Sequence, residues 1–91
     1  MYLEIVSPET TLFKGEIDSV SVPGANGEFE MLNNHAPIVS ILKEGFVKIR
    51  GTINLDENNA SKFEQKEKGY WLAISSGTIE MNANKIIILA D

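Results

Sequence analysis

The stretch Val22–Pro37 reads VPGANGEFEMLNNHAP and holds two turn dipeptides, the only histidine of the chain and an Ala-Pro stop. Pro23-Gly24 fits the two central positions of a type II turn, where proline presets the first φ and glycine takes the positive φ that follows. Asn26-Gly27 is the pair preferred in a tight hairpin turn, because both residues tolerate positive φ. Such a segment reads as an irregular corner on an all-β scaffold, and scaffold corners are where contacts to partners are placed.

Outward from that corner, strand signals dominate. Glu16–Val22 (EIDSVSV) alternates imperfectly, and a bulge between Ile17 and Val20 is expected to turn both side chains inward. Glu28–Leu32 follows the Asn-Gly pair, and Ile38–Leu42 (IVSIL) ends at the loop Lys43-Glu44-Gly45. Phe46–Arg50 (FVKIR) sets Val47 and Ile49 against Phe46, Lys48 and Arg50. Tyr2–Val6 opens the chain and is broken by Ser7-Pro8-Glu9. The last third gives Gly69–Ser75 (GYWLAIS), Thr78–Met81, a turn at Asn82-Ala83-Asn84, and Lys85–Ala90 (KIIILA). No stretch of helix length carries an apolar stripe at helical spacing. The expectation is one all-β domain over residues 1–91, a small β-sandwich or flattened barrel of about eight to ten short strands.

Two segments break the pattern. Ile86-Ile87-Ile88-Leu89 does not alternate, so both of its faces need cover: one lies on the core, the other meets a second layer or another subunit. In Asp56–Lys68, seven of thirteen residues are charged and Phe63 is the one large apolar residue. That composition reads as a solvated hairpin tip or loop, tolerant of shortening, with a charged partner patch as the alternative. Tyr70 and Trp71 are strand neighbours and point to opposite faces. The row Tyr70, Leu72, Ile74 is the more apolar of the two.

Composition narrows the function classes. The net charge is −5, and the eight basic residues are scattered, so neither nucleic acid nor anionic lipid is an expected partner. There is no cysteine, hence no disulfide and no thiolate metal site. The N-terminus MYLEIVSPE lacks the basic and apolar regions of a leader peptide. An active site needs a nucleophile with its base, a paired acid and base, or a metal constellation, and no such set is visible. The glycines form no phosphate cradle. The expectation is therefore no catalytic residue, no metal and no cofactor. His35 reads either as a side chain bonding its own loop or as an interface contact. Glu28 and Glu30 share one strand face and read either as a solvated edge or as an acidic patch facing a basic loop.

Three blocks carry a resemblance. Leu3–Gly15 (LEIVSPETTLFKG), the corner VPGANGEFEMLNNHAP, and the terminal SSGTIEMNANKIIILAD together resemble the N-terminal β-sandwich domains of the epsilon subunits of rotary F-type ATP synthases. The His-Ala-Pro corner combined with the closing Leu-Ala-Asp is the most specific part. Three departures stand out: Glu30 lies where the family usually has glycine, Asn33-Asn34 replaces Pro-Gly, and Asp56–Lys68 has no counterpart. In that family the Leu-Ala-Asp is usually followed by two helices that inhibit ATP hydrolysis, so a chain complete at Asp91 is expected to lack that inhibition.

The resemblance implies a non-catalytic rotor subunit of the central stalk, linking the gamma subunit to the membrane c-ring and coupling proton flow to ATP synthesis. It implies a peripheral place on the cytoplasmic side of the bacterial inner membrane. It further implies a c-ring contact through Glu28, Glu30, Met31, Leu32 and His35. A gamma contact is assigned to the apolar strands through Tyr70, Leu72, Ile86 and Ile88. Two alternatives remain: a biotinyl- or lipoyl-type carrier domain, for which Lys85 beside a turn is the candidate lysine, and a stand-alone ligand-binding β module.

Overall fold

A computed structural model describes all residues, Met1–Asp91. Ten strands make up the molecule: β1 Tyr2–Val6, β2 Thr11–Glu16, β3 Ser19–Gly24, β4 Gly27–Met31, β5 Ile38–Leu42, β6 Gly45–Arg50, β7 Phe63–Lys66, β8 Gly69–Ile74, β9 Gly77–Asn82 and β10 Lys85–Ala90. The only helix is a 3₁₀ turn at Ala60–Lys62. The strands follow the order β2-β1-β10-β9-β5-β3-β6-β8-β7, with β4 added to β3. This is the expected all-β sandwich, made by one sheet curling over on itself.

Two five-stranded halves face each other. The first is β2-β1-β10-β9-β5, in which the first and last strands pair in parallel, Leu3 opposite Ile86 and Ile5 opposite Ile88. The second is β4-β3-β6-β8-β7. Alternation sends one side of every strand into a common core: Leu3, Ile5, Val20, Val22, Met31, Val47, Ile49, Ile79, Ile86 and Ile88 are fully buried. With no disulfide to help, that apolar set is what holds a chain this short together.

The corner departs from the turn chemistry expected of it. Pro23 and Gly24 are strand residues, paired with Glu28 and Gly27, rather than the centre of a turn. The β3–β4 hairpin turns on Ala25 and Asn26, and only Gly27 takes a positive φ, 126°. Gly24 is needed for space: a Cβ there would sit 2.6 Å from the Phe29 ring and 2.8 Å from the Gly27 carbonyl oxygen.

Ile17 and Val20 are both buried as expected, but the device is a break between β2 and β3 at Ile17-Asp18. The bulge lies elsewhere, where β2 slips against Ile5 and Val6.

The charged middle stretch is more ordered than its composition implies. Asp56 receives the amides of Asn59 and Ala60 on its carbonyl, 2.8 Å each, and the amide of Asn58 on its carboxylate, 2.9 Å. Asn59 is buried and its side-chain amide donates to the Thr11 carbonyl at 3.1 Å. Phe63 enters the core, and β7 pairs with β8 from Phe63–Leu72 to Lys66–Gly69. The segment is thus a strap across the β2 edge, and the expected tolerance to shortening does not fit it.

Candidate interaction surfaces

Three exposed regions emerge from this architecture. The first is one end of the sandwich, where the β4–β5 loop Leu32–Pro37 meets the β9–β10 turn. Asn84, in the left-handed region at φ 63°, accepts the Asn34 amide on its side-chain oxygen and donates its side-chain nitrogen to Asn33, both at 2.9 Å. This clasp sets a loop whose one internal backbone–backbone bond is the His35 amide to the Leu32 carbonyl, 3.1 Å. Asn34 also has positive φ, 63°, so asparagine fills the left-handed position that glycine would otherwise take. His35 is exposed, with Nδ1 2.7 Å from the Ala36 carbonyl oxygen, which turns the rest of the ring toward solvent. Leu32 beside it is 56% exposed.

The five residues assigned to a c-ring contact therefore do not form one cluster. Leu32 and His35 sit together at this end. Met31 is fully buried in the core and presents nothing to a partner. Glu28 lies at the far end of β4, roughly 13 Å from Leu32 along the strand, and Glu30 lies between them on the outer face.

Glu28 belongs to the second region, the outer face of β4-β3-β6-β8-β7. Lys48 bridges both of its carboxylate oxygens at 3.2 and 3.3 Å. The same ammonium lies 4.3 Å from the centroid of the Trp71 ring, and Lys66 covers that ring from 4.9 Å. Phe46 packs beside it with centroids 5.3 Å apart. Trp71 is thus the outward residue of its pair, half-buried by its own neighbours, while Leu72 and Ile74 point to the core.

The third region is the outer face of β1-β10-β9-β5. Val39, Ile41 and Leu89 are 77%, 67% and 52% exposed. The register lines them up across adjacent strands: Val6, Leu89, Thr78 and Ile41 in one row, Glu4, Ile87, Glu80 and Val39 in the next. Exposed aliphatic side chains gathered on one sheet face, interleaved with Thr78 and Glu80, are the form of an interaction surface. The residues named for a gamma contact do not lie on this outer face. Ile86, Ile88 and Leu72 are core residues and Tyr70 is half-buried against the core, so the outward apolar set of β10 is the other parity, Ile87 and Leu89. The lack of alternation in KIIILA signalled two apolar faces. The exposed valine and isoleucine of β5 were legible only as a strand.

No group of three histidines or carboxylates could hold a metal ion. A depression of about 430 Å³ between β2 and residues 54–56 brings together only Lys14 and Asp56 as charged groups. Lys85 stands at the foot of β10 with its ammonium 5.8 Å from the Tyr2 ring centroid, after the turn rather than at its tip. The molecule is a small all-β domain of the β-sandwich class.

The comparisons specify which one. A family model for the ATP synthase delta/epsilon chain β-sandwich domain matches residues 1–91. Among curated relatives, the ATP synthase epsilon chain of Leptospira interrogans is 38% identical over 89 residues, covering 98% of this chain and 59% of the relative. That of Chlorobaculum tepidum is 36% identical, covering 98% of this chain and 86% of the relative. The chain thus spans about 59% of the length of several of its curated relatives. The fold recurs in the central stalk and c-ring structure of the Tetrahymena thermophila mitochondrial ATP synthase. There the TM-score is 0.72 at 15% identity, over 98% of this chain and 61% of the other. A Euglena gracilis mitochondrial ATP synthase structure gives a TM-score of 0.73 at 19% identity, over 97% of this chain and 48% of the other. The chain belongs to the ATP synthase delta/epsilon β-sandwich family. That membership displaces the carrier-domain alternative built on Lys85.

Proposed function

We propose that this chain is the β-sandwich of a central-stalk rotor subunit, non-catalytic, holding the gamma subunit to the membrane c-ring so that proton flow is coupled to ATP synthesis. The observation that carries the reading is the exposed aliphatic face of β10-β9-β5, on a domain whose family is that of ATP synthase epsilon chains. A surface of this kind suits a lasting assembly better than a transient encounter. The gamma subunit is assigned to this face, through Val39, Ile41, Ile87 and Leu89.

The c-ring is assigned to the clasped end, through Leu32, Asn33, Asn34 and His35. The similarity to a chain in a structure titled central stalk and c-ring supports a rotor location. The bacterial relatives support a peripheral position on the cytoplasmic side of the inner membrane. The test is recovery of partners from membranes of the source organism with the tagged chain. Gamma and c subunits are expected together. Loss of gamma alone on Ile41→Asp, and of the c subunit alone on His35→Ala with Leu32→Asp, would match the two assigned surfaces. Loss of neither would overturn them.

A further inference from the structure

We propose that the partner seated on the outer face of β10-β9-β5 presents a lysine or arginine that pairs with Glu80; this rests on the reading of that face as the gamma contact. Of the two carboxylates in the row Glu4, Ile87, Glu80, Val39, Glu4 has an aliphatic neighbour on one side only, whereas Glu80 has one on each side. Its two cross-strand neighbours are Ile87 on β10 and Val39 on β5. The chain's two ion pairs are Lys48–Glu28 and Lys66–Glu64, and Glu80 takes part in neither. Glu4 differs, because its register partner on β2 is Lys14. Lys85, one row away on β10, lies over the Tyr2 ring instead.

An apolar partner covering Val39 and Ile87 also removes Glu80 from water. A carboxylate buried without a counter-charge opposes docking strongly, and a cation supplied opposite it reverses that sign while fixing the register of the two surfaces. The surface has room for the cation's stem. A shallow depression of about 280 Å³ beside Glu80 is lined by Pro37, Ile38, Val39, Met81 and Asn82. An aliphatic stem lies along Pro37 and Val39 there while the head group reaches the carboxylate.

The experiment titrates the purified chain against the gamma subunit of its source at several ionic strengths, with Glu80→Gln, Glu80→Lys and Val39→Asp as variants. Glu80 is exposed, so these substitutions leave the fold intact, checked by thermal unfolding. Glu80→Gln is expected to weaken binding about tenfold and to flatten its salt dependence, and Glu80→Lys to weaken it further. If Val39→Asp abolishes binding while Glu80→Gln matches the wild type in affinity and salt slope, the face stands and the cation is refuted. If the wild type does not bind gamma, or Val39→Asp binds as the wild type does, the assignment of the face fails, and the proposal with it.

Discussion

Gly24 and Leu42 form the single paired position between β3 and β5, and that rung joins the two halves of the sandwich into one continuous sheet. The Ala25 amide bonded to the Ile41 carbonyl at 3.1 Å and the Lys43 amide bonded to the Pro23 carbonyl at 2.9 Å flank it. A side chain at position 24 collides with Phe29 and with the hairpin backbone. Gly24→Ala is expected to cost roughly 1–3 kcal/mol in urea unfolding, because the backbone oxygen of Gly27 cannot move aside as a flexible side chain would.

The β7–β8 turn carries the opposite opportunity. Glu67 and Lys68 both sit in the left-handed region, at φ 45° and 67°, a geometry that suits Asn-Gly. The double substitution Glu67→Asn with Lys68→Gly is expected to stabilise by about 1–2 kcal/mol, read as a raised midpoint of thermal unfolding. An unchanged or lowered midpoint would show that the exposed charges hold the turn in some other way.

Asn59 is buried with both ends of its amide engaged, donating to the Thr11 carbonyl at 3.1 Å and accepting from Lys62 at 3.3 Å. Asn59→Ala leaves the Thr11 carbonyl without that donor and loosens the strap from the β2 edge. The expected loss is about 1–3 kcal/mol by denaturant titration. Deletion within residues 56–63 is expected to cost more, since it also withdraws Phe63 from the core.

The lone tryptophan is a built-in reporter. Lys48 and Lys66 both cover the Trp71 ring, so Lys66→Ala is expected to shift its fluorescence to the red with a stability change below about 1 kcal/mol. An emission spectrum identical to the wild type would show that Lys66 does not cover the ring in solution.

At the clasped end, Asn84→Gly keeps the positive φ while removing both side-chain bonds to Asn33 and Asn34. Thermal stability is expected to hold within about 1 kcal/mol, while capture of the c subunit weakens. Full capture would separate the loop's order from the proposed contact.

Much of this was legible beforehand, for identifiable reasons. Tyr2–Val6, Ile38–Leu42 and Lys85–Ala90 appear in the structure as read, because their apolar runs are bounded by Pro, Gly or Asn. Thr11–Glu16 was hidden by Lys14 and Gly15, and Phe63–Lys66 by its charges. Both are strands with one neighbour only, β1 for β2 and β8 for β7, where polar side chains fit the end of the sheet. At the candidate surfaces, Leu32 and His35 were placed together, whereas Met31 and the Ile86, Ile88 pair were assigned to the wrong side of their strands.

What the sequence determined by itself was an all-β fold without cysteine, with a turn-rich corner, one histidine and a closing strand apolar on both faces. Alternation and turn chemistry are local, so a single chain read in order displays them. Which isoleucines face outward is not a local property. Ile86 and Ile87 are chemically identical, and only the register of β10 against β1 and β9 turns Ile86 to the core and Ile87 to the surface. A shift of one residue would exchange them. The tertiary pairing therefore decided where the aliphatic face lies, and with it that Glu80 stands between Ile87 and Val39.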